Sequence, residues 1–233
     1  MKKLKKIIHV IGSPEKGFQQ VTQEAHFLIM ACIVVTSKIV LLVARFDLFR
    51  EYCEALTYQY MYSMKDLFNL NLTNVQIEKM VSESPYQSLR STFLNSIVMY
   101  FLAGIFIWML VKIRKGEGNL RQYLSIMAYA HIPLVLSYLF LGLVSIGTNE
   151  LYFNSSFTSI GYYFPGTVSP FLKGILSGVE LFAVWKYILV YYGLKSVTGF
   201  KKRDNIIICI FMFGILMLIS GLNVWAGEGI GNL

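Results

Sequence analysis

Five apolar runs, at about 27–44, 93–113, 126–146, 171–192 and 205–225, constrain this chain more than any other feature. Each approaches the ~20 residues that carry an α-helix across ~30 Å of hydrocarbon. None alternates as a barrel strand does, and a water-free interior leaves helices as the other way to satisfy every backbone group. Only 15% of the residues are charged, against about 25% in a soluble domain. The expected fold class is therefore all-α integral membrane: a five-transmembrane-helix bundle that forms a single domain over 1–233. The first run is the weakest, being short and holding Lys38.

The connections give the runs a direction. Segments 1–25, 112–121 and 194–204 hold five, four and four Lys or Arg, thirteen of the twenty-one in the chain. The loop 147–172 and the tail after Trp225 hold none, and the five in 45–92 are balanced by six acids. Cytoplasmic loops carry the excess of Lys and Arg. The N-terminus and both short basic loops are then cytoplasmic, and five spans place the C-terminus outside. Orientation in the membrane thus accounts for the net charge of +8, and no nucleic-acid partner is expected.

Residues 1–25 set Lys2, Lys3, Lys5 and Lys6 against Leu4, Ile7, Ile8 and Ile11. This resembles the start of a signal peptide, but Gly12, Ser13 and Pro14 cut the apolar run short, so no cleavage is expected. Ser13 is a candidate N-cap with Pro14 at the first helical position. The segment reads as a cytoplasmic interfacial helix drawn to anionic lipid. Section 45–92 reads as a helical extracytoplasmic cap. Within it, 46–68 is an aromatic amphipathic helix, and Thr73 with Gln76 is a capping box for a short helix ending near Val81. Ser84 and Pro85 repeat the start signal for the helix that becomes the second span. Loop 114–119 leads into the third run, where Pro133 marks a kink or a short surface helix before the true span.

Three ionisable residues sit at membrane depth: Lys38, Glu180 and Lys186. Such groups are costly in lipid and face the bundle interior. Glu180 could pair with Lys38 or hydrogen-bond His131. Two readings stay open, an ion or proton pathway and a structural pair that locks helices, with Lys186 snorkelling to the interface. Gly174 and Gly178 form a small-xxx-small pattern that serves either intramolecular packing or dimerisation. Cys32, Cys53 and Cys209 match no disulfide or zinc spacing, and His9, His26 and His131 are isolated, so no metal is expected. Gly116 to Gly118 and Gly227 to Gly231 lack the Lys-Ser/Thr of a phosphate loop. Asn71-Leu-Thr73 and Asn154-Ser-Ser156 fit the glycosylation acceptor pattern, a short match that is common by chance. No nucleophile, base and orienter occur together, so neither an enzyme nor a cofactor is expected.

The run Gly118-Asn-Leu-Arg-Gln-Tyr-Leu-Ser-Ile-Met-Ala-Tyr-Ala-His-Ile-Pro133 resembles the cytoplasmic loop and third span of bacterial Yip-domain (Ypt-interacting protein) membrane proteins. Glu180-Leu-Phe-Ala-Val-Trp185 and Tyr192-Gly-Leu-Lys-Ser-Val-Thr-Gly199 are similar to that family's fourth span and following turn. Ile8 to Phe18 resembles the segment before its first span. The resemblance implies five spans, a cytoplasmic N-terminus, a bacterial plasma-membrane location and no catalytic residues. Eukaryotic members are implicated in vesicle trafficking with small GTPases; this chain begins without their long cytosolic region, so a GTPase is not expected. Some bacterial relatives act beside MacB-type ABC exporters.

The expected function is a non-enzymatic scaffold or accessory subunit of a membrane complex. Its partner is another membrane protein, with an ABC exporter as one candidate, or a second copy of the chain. The contact residues expected against partner or lipid are Arg114, Lys115, Arg121, Tyr129, Pro133, Lys195, Lys201, Lys202 and Arg203. The alternative is a small transporter or channel, or a lipid-handling protein, that uses Glu180 and the Pro133 kink.

Overall fold

The computed structural model describes residues 2–24, 27–68, 72–152, 156–164 and 168–231, without the side chains of 2–6, 24, 66–68 and 227–231. His26, Asn71, Asn154 and the four N-terminal lysine side chains lie outside that description. The helices are α1 (Lys2–Gly12), α2 (Pro14–Glu24), α3 (Leu28–Ala44), α4 (Phe46–Phe68), α5 (Asn74–Ile113), α6 (Leu120–Ala130), α7 (Ile132–Thr148), α8 (Pro170–Gly178), α9 (Leu181–Lys195) and α10 (Lys202–Gly231). A 3-10 turn spans Ile160–Tyr163, and no strand occurs among the described residues.

Three helical stretches are long and apolar enough to cross a bilayer: Asn74–Ile113, Leu120–Thr148 and Lys202–Ala226. A fourth is reached if Pro14–Gln23 and Leu28–Ala44 act as one bent span. The run expected at 171–192 is no continuous span. It is two helices, α8 and α9, separated by Val179 and Glu180 in non-helical backbone.

The core is built around α6. Every residue from Tyr123 to Ala130 is buried, and the surrounding cluster takes Val10, Phe18 and Val21 from α1 and α2, Val111 from α5, and Leu194 from α9. The expected surface helix at 120–128 forms, but inside the protein. Beyond Gln122 its only polar side chain short of the tyrosines is Ser125, and a helix apolar all round is buried rather than amphipathic. Asn119 starts it with a capping box to Gln122, bonds of 3.0 and 2.9 Å. Pro133 lies at the start of α7, as the join expected from sequence.

α1 packs back on α2, and α2 lies against α6 and α9. Gly17 makes the close crossing, for a Cβ there would lie 2.7 Å from the Val10 backbone. The pair is therefore part of the core as well as a basic segment.

α5 departs from expectation at Pro85. The helix that starts at the Thr73–Gln76 capping box runs unbroken through Pro85 for 40 residues. Proline has no N–H to give the carbonyl four residues back. Here that carbonyl belongs to Val81, and the Ser84 hydroxyl donates to it at 2.7 Å.

α8 packs along α10 through small residues. The Ser220 hydroxyl donates to the Gly174 carbonyl at 2.7 Å, and a Cβ on Gly174 would meet the Ser220 carbonyl at 2.5 Å. The small-xxx-small pattern thus serves packing within the chain. A second small cluster of Leu42, Phe49 and Cys53, with Leu89 against it, joins α3, α4 and α5.

Candidate functional site

Two polar regions lie at opposite ends of α9. At its C-terminal end the two short basic loops interlock. The Glu117 N–H donates to the Thr198 carbonyl at 3.1 Å, and Arg114 pairs with Asp204 at 3.4 Å. Gly118 has φ +92°, a backbone that favours glycine, and the turn it makes lets the Tyr123 hydroxyl donate to the Glu117 carbonyl. Behind the second loop the Thr198 hydroxyl donates to the Asn205 side-chain oxygen at 2.9 Å, both residues buried. Lys195 pairs with Glu15 of α2 at 3.0 Å, and that hydrogen bond raises the lysine pKa above its ordinary value.

The result is one face rather than two separate loops. Arg114, Lys115, Arg121, Lys195, Lys201, Lys202 and Arg203 are exposed on it or beside it. Tyr129 and Pro133, named with them from sequence, are buried, so they do not form its surface.

At the other end of α9 is the break. Chain 158–160 runs beside it as a single antiparallel bridge between Ser159 and Glu180. The Ile160 N–H donates to the Val179 carbonyl at 3.0 Å, and the Leu181 N–H to the Thr158 carbonyl at 3.1 Å. Those bonds satisfy the backbone that the helix gave up, a condition for non-helical chain at membrane depth. The Glu180 carboxylate then accepts two hydroxyls on one oxygen, Ser137 and Thr158 donating to Oε1 at 3.0 Å each. Glu180, Lys38, Ser137, Tyr138 and Ser177 line a cavity of about 140 Å³.

Of the pairings expected from sequence, Glu180 and Lys38 do line one cavity. His131 and Glu180 do not bond. His131 Nδ1 lies 2.5 Å from the Met127 carbonyl, and its ring stands edge-on to Tyr100. Lys186 is buried rather than snorkelling, its Nζ 5.2 Å from the Tyr187 ring. A further contact was not foreseen: buried Arg45 donates to the Ser145 carbonyl and, at 2.6 Å, to Asn149 Oδ1. A cation there suits the C-terminus of α7 and ties the α3–α4 corner to it. Cys53 sits in the small outer cluster, where burial pushes its thiol pKa up. Among the described residues no three His, Cys, Asp or Glu side chains gather as a metal site would need.

The profile of the Yip1 domain matches residues 8–222. The chain belongs to the Yip1 domain family. It is also similar to "Membrane protein YknW" of Bacillus subtilis (strain 168), 24% identical over 217 residues, which cover 91% of this chain and 86% of that one. No solved structure matches. Membership in the Yip1 family and the apolar helices together make this an integral membrane protein. In this member, the loop–helix–proline run at 118–133 forms the centre of the core. The Glu180–Trp185 run opens α9 at the break. Ser137, Thr158 and Ser177 carry no sequence signal of their own, being single hydroxyls in apolar or loop surroundings. Ser177 and Gly178 just before Glu180 were the one hint that the run would break there.

Proposed function

We propose that this Yip1-family chain is a non-enzymatic, multi-pass scaffold or accessory subunit of a membrane complex. In this reading it crosses the bacterial plasma membrane five times as one domain. Its N-terminus is cytoplasmic, its C-terminus is outside, and α4 with the start of α5 forms the outer cap. The observation that carries the proposal is the interlocking of loops 114–119 and 196–201. Hydrogen bonds and an ion pair hold seven cations on and beside a single surface, an arrangement that orientation alone does not require. Positive surfaces of this kind recognise acidic partner segments and anionic headgroups. The partner class that the family resemblance supports is an ABC exporter; a second copy of the chain is the competing occupant.

The test is affinity capture of the tagged chain from its native membrane in mild detergent. A stoichiometric membrane-protein partner is expected, lost when Lys201, Lys202 and Arg203 are replaced by Ala while the protein remains folded. Recovery of the chain alone, or a partner retained by the triple variant, would overturn the role of this face.

A further inference from the structure

We propose that the groove between α9 and α10 holds one acyl chain of an anionic phospholipid whose phosphate lies among Lys201, Lys202 and Arg203. The inference goes beyond the partner reading: it shares that reading's cations and adds a lipid site beneath them. The groove follows from residue spacing. On α9, Val184, Ile188 and Tyr191 recur at four and three residues and so share one helix face. On α10, Ile206, Ile210 and Phe213 do the same. These six line a cavity of about 310 Å³, and among the described residues none lining it is charged. Tyr187 bridges the two helices at the end far from the basic loop. Its hydroxyl donates to the Met212 carbonyl at 3.4 Å, and its ring stands edge-on to Phe213 with centroids 5.3 Å apart.

Both walls lead to cations at the same end. Lys202 and Arg203 stand one turn before Ile206 on α10, and Lys195 one turn after Tyr191 on α9. Lys195 is already paired with Glu15. Lys201, Lys202 and Arg203 are exposed, and among the described residues none of the three pairs with an acid. Asp204, the next residue, is taken by Arg114. An apolar slot that opens beneath unpaired cations fits a ligand with an alkyl body and an anionic head.

Size selects a lipid chain over a partner helix. From Tyr192 to Val184, both lining residues, the groove runs about 12 Å along α9, which fits within one leaflet of a ~30 Å core. Spread over that length, 310 Å³ leaves a cross-section of about 25 Å², whereas a helix about 10 Å across fills about 80 Å². A helix would ride over the groove; an alkyl chain enters it. The tail alone confers little selectivity, because it leaves one apolar surrounding for another. The head supplies it: each Lys or Arg near the membrane surface favours an anionic lipid about fivefold.

The experiment uses the full chain in nanodiscs of equal parts phosphatidylglycerol and phosphatidylcholine, with the lipid that stays on the released protein counted by native mass spectrometry. One phosphatidylglycerol per chain is expected, in preference to phosphatidylcholine. Ile188→Trp and Ile210→Trp each put a bulky ring into the groove and leave the cations in place. Ile188 is 50% and Ile210 66% exposed, so both variants should fold, and each should lower the retained lipid about tenfold. Lys202→Ala with Arg203→Ala keeps the groove and should lower the preference for phosphatidylglycerol about 25-fold, two such fivefold factors. No preference in the parent chain overturns the proposal. So does lipid retention unchanged in both tryptophan variants, or a preference unchanged in the double alanine variant. Failure to capture a protein partner would overturn the partner reading alone, since the lipid counts of the parent and the tryptophan variants do not depend on it.

Discussion

The hydroxyl of Ser84 decides whether Pro85 can sit inside α5. It donates to the Val81 carbonyl at 2.7 Å, the bond that proline withholds. Ser84→Ala should cost about 1–3 kcal/mol, the penalty for a buried acceptor left unpaired. The same change in a Pro85→Ala background should cost much less, because alanine restores the N–H. Thermal unfolding of the four proteins in one detergent measures the cycle; equal costs in both backgrounds would refute the account. Gly17 offers a second residue-scale test. A Cβ there would lie 2.7 Å from Val10 Cα, whereas nothing lies within 4 Å of the corresponding point on Gly12. Gly17→Ala should therefore destabilise by about 1–3 kcal/mol, the usual cost of overpacking. Gly12→Ala should be nearly silent in the same melts. Equal effects would mean that α1 and α2 do not cross as described.

At the scale of elements, the α8–α10 seam and the exposed side of α10 make opposite demands on glycine. Gly174 is buried against the Ser220 carbonyl and the Gly221 backbone, with 2.5 and 2.7 Å to a Cβ built on it. Gly214 is exposed and has nothing within 4 Å of its Cβ position. Gly174→Ala should part the two helices and lower the melting temperature. Gly214→Ala should raise it slightly, because alanine is favoured over glycine in a helix by up to about 1 kcal/mol. A destabilising Gly214→Ala would place another surface against that side of α10. The seam also shows which parts of the fold sequence could give. Features set by adjacent residues were legible: the bounds of α4, the Thr73 capping box, the Pro133 join. Features set by distant contacts were not. The Pro85 break fails because of one side-chain bond, the α8–α9 break is closed by chain some twenty residues earlier, and α6 lies inside because α1 and α2 cover it. The same division holds for the candidate site. Glu180 and Lys38 stood out as charges in apolar runs, but Ser137 and Thr158, which orient the carboxylate, are visible only in three dimensions.

For the whole molecule, helix length and the interlocked loops together predict where the cap stands. α5 has 40 residues, about 60 Å of helix, twice the ~30 Å of the hydrocarbon core. Its C-terminal end is fixed near the basic face, for Arg114 pairs with Asp204 at 3.4 Å and the Gly116 N–H donates to the Val111 carbonyl at 2.9 Å. The excess length must therefore emerge on the opposite side. α10 also starts at that face and, with 30 residues, runs about 45 Å; it too overruns the core. α4 contacts both helices, so it belongs with their projecting ends. The prediction needs single cysteines in a chain whose Cys32, Cys53 and Cys209 have been replaced by Ala. One goes at Val75, 75% exposed at the start of α5, the other at exposed Lys115. In intact bacterial cells a membrane-impermeant maleimide should label Val75→Cys, and Lys115→Cys only after permeabilisation. Labelling of both from one side would refute the projecting cap. Labelling in the reverse sense would keep the cap but overturn the orientation derived from the thirteen clustered Lys and Arg. The two conclusions, one from helix length and one from charge, thus stand or fall separately in a single experiment.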